Sequence, residues 1–248
     1  MNVAWLEADW PAPPGVVAGT TLRQGGFSRG PYESLNLATH VGDDLQLVAR
    51  NHHVFRNTCQ LPSEPLWLAQ VHGTTVLDAA SAPSAPEGDA MQTDLPDVVC
   101  AVLTADCLPV VFASRSGRSV AVAHAGWRGL ADGILESTVA AMTCEAQDLQ
   151  VWLGPAISQS AFEVGAEVRE RFVTQDSDAA MHFRPNSRGR WQADLYGLAR
   201  RRLQHCGVTD LYGGRRCTFG EPQAFFSYRR DGACGRMATF VFRRPHTA

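Results

Sequence analysis

A thiol and an imidazole flank one short turn in this chain. Thr104-Ala105-Asp106-Cys107-Leu108-Pro109 leads into an apolar run ending at Ser114. Arg115-Ser116-Gly117-Arg118 has the composition of a turn, and Ser119–Ala123 is apolar again before His124-Ala125-Gly126-Trp127-Arg128-Gly129. Two apolar runs punctuated this way predict a buried β-hairpin. A reversal near Ser116-Gly117 opposes residues whose numbers sum to about 233, so Cys107 and His124 emerge almost opposite each other at the open end. His72, in Gln70-Val71-His72-Gly73, closes another apolar segment and completes a candidate His₂Cys set. Three protein ligands leave one tetrahedral position open, the catalytic arrangement for zinc; copper accepts the same donors. A cysteine nucleophile with a histidine base uses the same residue types. Spacing alone also leaves open a buried inert cysteine beside two surface or capping histidines.

Other positions carry chemistry with less specificity. Asp106 reads as a base, as a carboxylate orienting a ligand histidine, or as a turn residue. Gly126-Trp127-Arg128-Gly129 opens a predicted helix; Arg128 there offers a bidentate partner for phosphate or carboxylate, and a tight turn with Trp127 packed on the core is the equal alternative. Phe225-Phe226-Ser227-Tyr228-Arg229-Arg230 mixes aromatic faces with guanidiniums and suggests Arg229 for substrate, against an aromatic strand with solvated arginines. Phe27 and Ser28, with Tyr32, Asn36 and His40, form a polar, aromatic, glycine-rich stretch able to line a pocket. The adjacent His52 and His53 read as surface residues, and His182, His205 and His246 have no suggestive context.

The elements that position these groups follow from patterning. Strands are predicted at 66–71, 98–104, 108–113, 120–124, 150–153 and 238–242, and helices at 130–144, 166–173 and 194–205. Leu195, Leu198, Ala199, Arg202 and Leu203 share one helical face, with Gly207 just past its end. Ala79–Gly88 reads as a loop. Strands and helices mix without strict alternation, so the expectation is one domain over residues 1–248. Its expected architecture is an α/β (mixed α+β) sandwich around a central mixed, largely antiparallel sheet.

At 248 residues the chain can bury a large core, and 45% hydrophobic with 19% charged residues is ordinary for a globular protein. A net charge of −3 gives no electrostatic case for nucleic acid or a membrane surface. All 22 basic residues are arginine, which removes Schiff-base, pyridoxal-lysine and P-loop-lysine chemistry. Met1–Asp9 lacks a signal-peptide pattern, and seven cysteines without a C-x-x-C pair suit a reducing cytoplasm. Cys59, Cys100, Cys144, Cys206, Cys217 and Cys234 are then expected to be small buried hydrophobes.

Taken in order, several motifs resemble one family. They are Gly25-Gly26-Phe27-Ser28, Ser34-Leu35-Asn36-Leu37, His40-Val41-Gly42-Asp43-Asp44, Gln70-Val71-His72-Gly73, Ala105-Asp106-Cys107-Leu108-Pro109 and His124-Ala125-Gly126-Trp127-Arg128-Gly129. Gly154-Pro155-Ala156-Ile157, Cys217-Thr218 and Phe226–Gly232 continue the series. The chain resembles the bacterial YfiH-type, laccase-domain proteins from about Gly25 to Phe242. The resemblance implies a single mixed α/β domain with a zinc-type site at His72, Cys107 and His124. Two departures stand out: Ala156 and Ser158 where the family usually has cysteine and glycine, and His52 where arginine often follows the asparagine.

Proteins of this type have been described as purine nucleoside phosphorylases with adenosine deaminase activity, as polyphenol oxidases, and as a peptidoglycan editing factor. The resemblance therefore implies phosphorolysis of adenosine, inosine or methylthioadenosine, with a purine nucleoside and phosphate as partners and zinc, or copper, as cofactor. Alternatives are a metal-dependent hydrolase trimming a mis-incorporated amino acid from a cell-wall precursor, a copper polyphenol oxidase, and a non-enzymatic envelope partner. Eight dispersed histidines are too few for a multicopper centre.

Overall fold

The structure, a computed structural model, describes residues 5–83 and 85–245; His246 lies outside the described residues. In chain order the elements open with β1 (Trp5–Glu7), β2 (Val16–Thr21), α1 (Leu45–Thr58), β3 (Val76–Asp78), β4 (Ala90–Thr93), β5 (Cys100–Thr104), β6 (Leu108–Ser114) and β7 (Val120–Ala125). Then follow α2 (Trp127–Asp132), α3 (Ile134–Ala141), β8 (Leu149–Leu153), β9 (Glu163–Val164), α4 (Ala166–Val173), β10 (Phe183–Pro185) and β11 (Trp191–Ala193). The chain closes with α5 (Leu195–His205), β12 (Asp210–Gly213), α6 (Tyr228–Asp231) and β13 (Met237–Arg243).

Two large sheets stack face to face. One has the order β12-β8-β6-β7-β4-β3 and is mixed, with parallel pairs only at its edges; the other, β1-β2-β13-β5, is antiparallel throughout. Alternation along each strand builds the layers, because successive side chains point to opposite faces. Val111, Ala113, Val120 and Val122 meet Val16, Ala18, Val102 and Val241 between the sheets. Val110, Phe112, Ala121 and Ala123 face α3 and α5 through Ile134, Leu135, Leu198 and Leu203. On the far side, Ala101, Ala238, Phe240 and Phe242 cover Phe55 of α1. Strands buried on both faces read as continuous apolar runs, so the sequence shows that they are interior but not that they divide between two sheets.

The hairpin register is Leu108 opposite Ala125 and Pro109 opposite His124, as the predicted reversal requires. The helix 166–173 is found as predicted. The predicted helix 130–144 is two helices, broken at Gly133 with φ +102°, a backbone that glycine adopts without steric cost. The predicted strand 66–71 makes only isolated bridges, at Leu66 and Ala69. There the Gln70 side chain replaces a ladder rung, accepting from Leu103 N at 2.7 Å and donating to Leu103 O at 2.9 Å.

Helix α1 escapes hydrophobic patterning because the middle of its buried stripe, Val48, Asn51 and Phe55, is an asparagine. His53 is exposed as expected, but His52 is half-buried against Trp67 and bonded to Leu37 O. Cys59, Cys100 and Cys234 are buried thiols, whereas Cys144, Cys206 and Cys217 are only partly covered. Among the described residues no helix is long and apolar enough to cross a membrane.

Candidate active site

The chain leaves the four-stranded sheet at Thr104 and enters the six-stranded one at Leu108, so Cys107 stands where the two sheets part. His124 lies at the end of β7, and His72 on the segment before β3. One ligand atom from each of His72, Cys107 and His124 lies within 4.8 Å of the other two. The two imidazoles stand edge to face with centroids 4.7 Å apart. The sequence-derived trio therefore converges.

Asp89, which sequence reasoning missed, orients it. This fully buried carboxylate accepts from His124 Nδ1 at 2.8 Å and from the backbone N–H groups of His72 (2.9 Å), Gly73 (2.7 Å) and Val71 (3.2 Å). A carboxylate only accepts, so the proton resides on His124 Nδ1, and Nε2 is left for a ligand. The same contacts hold His72 at φ +62°, an unusual backbone for a non-glycine residue. Burial alone would raise the Asp89 carboxyl, but the bonds from His124, Gly73 and His72 outweigh it and hold it below its ordinary value. Burial likewise opposes charge on His124, yet the neighbouring Cys107 sulfur and Asp89 lift it to about 9. His72 is lowered by burial and by the charges of His124 and Arg128.

Asp106 makes no hydrogen bond to these histidines. Its Oδ1 accepts from Thr218 Oγ1 at 2.6 Å and its Oδ2 from Arg229 N at 2.7 Å, fastening the C-terminal loops to the sheet junction. The glycines of the Gly126-Trp127-Arg128-Gly129 segment serve close approach. A Cβ on Gly126 would collide with His72 Nδ1 and lie 3.1 Å from Cys107 Sγ; one on Gly129 would lie 2.8 Å from Gly73 O. Gly126→Ala is therefore expected to displace His72 and lower metal affinity at least tenfold, while far-ultraviolet circular dichroism stays that of the parent. Metal competition titration reads this.

Above the trio opens a cavity of about 510 Å³. Trp127 and Arg128 flank its histidine end; Gln70, Leu103, Thr104 and Ala105 form a wall; His40, Tyr228 and Arg236 complete the lining. No carboxylate lines it among the described residues, so a cationic concavity stands in a protein of net charge −3. Of the predicted substrate residues, Arg128 is present. Phe27 and Ser28 are not in the lining: Asn51 accepts from Phe27 N at 2.7 Å and donates to Ser28 Oγ at 2.8 Å, and Ser28 Oγ donates to Asp43 at 2.6 Å. They brace the loop that carries His40. Arg229 points away, over the Phe162 ring and onto Glu163 O, at a separate surface depression. Successive helical residues diverge by about 100°, so the neighbouring Tyr228 reaches the cavity instead. Asp89 has only a weak sequence signal, an acid immediately before the short strand Ala90–Thr93.

The residues fit a metal by their own chemistry. His72 Nδ1 is buried without a hydrogen-bond partner, and two imidazoles with a thiol are a zinc or copper donor set.

The sequence family described as multi-copper polyphenol oxidoreductase laccase matches residues 17–244. The chain belongs to that family. Within this laccase family it is 49% identical over 238 residues to an Escherichia coli protein named purine nucleoside phosphorylase YfiH, covering 96% of this chain and 98% of that one. A Pseudomonas aeruginosa protein named purine nucleoside phosphorylase is 49% identical over 240 residues, with the same coverage of 96% and 98%. The crystal structure of a Neisseria meningitidis protein matches with a TM-score of 0.94 at 49% identity, over 99% of this chain and 100% of that one. YlmD from Geobacillus stearothermophilus matches with a TM-score of 0.88 at 34% identity, over 97% and 96% of the two chains. The single mixed α+β domain of the laccase family, expected from the motifs, is thus established.

Proposed function

We propose that the protein is a purine nucleoside phosphorylase acting on adenosine, inosine and methylthioadenosine, with deamination of adenosine as a side activity. The observation that carries this reading is the cationic, carboxylate-free cavity standing over His72, Cys107 and His124. The names of the relatives support it. In phosphorolysis the glycosidic C–N bond breaks, a phosphate oxygen bonds to the sugar carbon, and the departing base takes up a proton. A phosphate dianion needs guanidinium partners and freedom from competing carboxylates, and a lining that holds Arg128 and Arg236 without a carboxylate offers both.

His72, Cys107 and His124 would hold a zinc ion, copper being the other candidate. A bound metal would supply Lewis-acid activation of water, the chemistry that deamination requires. Asp89 fixes the His124 tautomer, while Trp127 and Tyr228 offer aromatic faces to a planar base. The donor set favours this reading over polyphenol oxidation, because the one group of metal-ligand type among the described residues has three members.

The test is base release. Protein incubated with inosine should liberate hypoxanthine in proportion to added phosphate, together with ribose 1-phosphate. No release at any metal loading would reject the proposal. A cavity free of carboxylates also suits an anionic cell-wall precursor. Phosphate-independent release of serine from a muramoyl-serine nucleotide would select the editing hydrolase instead.

A further inference from the structure

The cavity lining holds further polar groups that the metal trio does not use. Arg236 stands just before β13, and its backbone N–H donates to Asn36 Oδ1 at 3.0 Å. Its Nη1 donates to Cys234 O at 2.8 Å and Gly235 O at 3.1 Å, which fixes the guanidinium in place. Nε and Nη2 have no partner among the described residues, and no carboxylate pairs with this arginine. His40 lines the same cavity: desolvation first, and then the positive charge of Arg236, hold its imidazole below its ordinary pKa. Tyr228 lines the cavity beside it, its ring centroid 5.9 Å from the guanidinium carbon.

Thr104 lines the same wall, is 2% exposed, and has a buried Oγ1 without any hydrogen-bond partner. A buried hydroxyl left unsatisfied costs free energy unless a ligand completes it. A guanidinium with two free donor nitrogens, an imidazole held close to it, and an orphan hydroxyl together form an anion receptor.

We infer that Arg236, His40 and Thr104 form a phosphoryl-anion subsite, separate from the His72–Cys107–His124 trio and from Arg128. The subsite accepts either free inorganic phosphate or a phosphoryl group carried by the nucleoside. Binding there does not depend on the proposed phosphorolysis; the assignment of the anion as co-substrate rests on it.

The experiment titrates the protein as purified with inorganic phosphate, followed by ³¹P line broadening and calorimetry. Arg236→Gln is expected to weaken binding about tenfold or more, the loss of a charge-assisted bidentate contact, with Arg236→Lys intermediate. His40→Ala, which removes an exposed ring, is expected to weaken it severalfold without altering thermal unfolding. In turnover, the KM for phosphate should rise in Arg236→Gln while the KM for inosine and the metal content stay unchanged. A second arm separates the two sources. If a nucleoside 5′-monophosphate binds at least tenfold tighter than its nucleoside, and Arg236→Gln erases the difference, the phosphoryl group comes with the substrate. If the two bind alike and phosphate binds alongside inosine, the anion is the free co-substrate. Phosphate binding that depends on Arg236 without any base release would uphold the subsite and reject phosphorolysis. Titrations indistinguishable among wild type, Arg236→Gln and His40→Ala, or binding lost only in Arg128→Ala, would overturn the inference.

Discussion

Cys107→Ala is expected to lose its metal and to release base from inosine more than about a hundredfold more slowly than the parent, with thermal unfolding nearly unchanged. The thiol is the only sulfur in the trio and is half-buried at the junction of the sheets, so alanine leaves little void there. Two imidazoles alone make a weak site for zinc, and losing a direct ligand should exceed the ~10–100-fold effect typical of removing an outer hydrogen-bond partner. Metal content and hypoxanthine release, measured on the same preparation, check this. A Cys107→Ala protein that keeps both its metal and its rate would show that the thiol is an inert core cysteine.

Asp89→Asn is expected to be the most damaging single change that leaves all three candidate ligands in place. Four N–H donors converge on this buried carboxylate. An amide offers one acceptor oxygen and turns its own N–H₂ toward the remaining donors. Leaving buried donors unpaired beside His124 should cost about 3 kcal/mol of stability. That corresponds to roughly 6–12 °C in Tm at this chain length. Metal affinity should fall ~10–100-fold as His124 loses its fixed tautomer and His72 its anchored backbone. Asp106→Asn is the control: it loosens Thr218 and Arg229 but should leave metal affinity unchanged. Calorimetric unfolding and metal competition on both variants give the comparison. Equal metal affinities in the two would contradict the orienting role of Asp89.

The contrast between these two acids shows what could be read along the chain. The hairpin was legible because two apolar runs and a Ser-Gly turn fix a local register, and the register carried Cys107 and His124 to one end. His72 lies 35 residues before Cys107, so only its residue type and the resemblance pointed to it. Asp106 adjoins the cysteine and drew the orienting role by proximity, yet with φ +92° its carboxylate serves the loops behind. Asp89, 35 residues from His124, does the orienting. Such a pairing follows from how strands stack, which periodicity does not encode. A similar limit explains Arg229: composition marks 225–230 as site-like, but the phase of the short helix decides that Tyr228 lines the cavity. The glycine-rich segment at 126–129 suggested anion binding. The collision of a Cβ with His72, visible only in three dimensions, accounts for Gly126 through packing.

X-ray absorption at the metal edge, on protein purified without an affinity metal, tests the proposed centre most directly. One sulfur scatterer at about 2.3 Å and two imidazole nitrogens at about 2.0–2.1 Å are expected in the parent, with the sulfur shell absent in Cys107→Ala. A shell of nitrogen and oxygen alone in the parent, or one identical in the variant, would contradict a centre built from His72, Cys107 and His124.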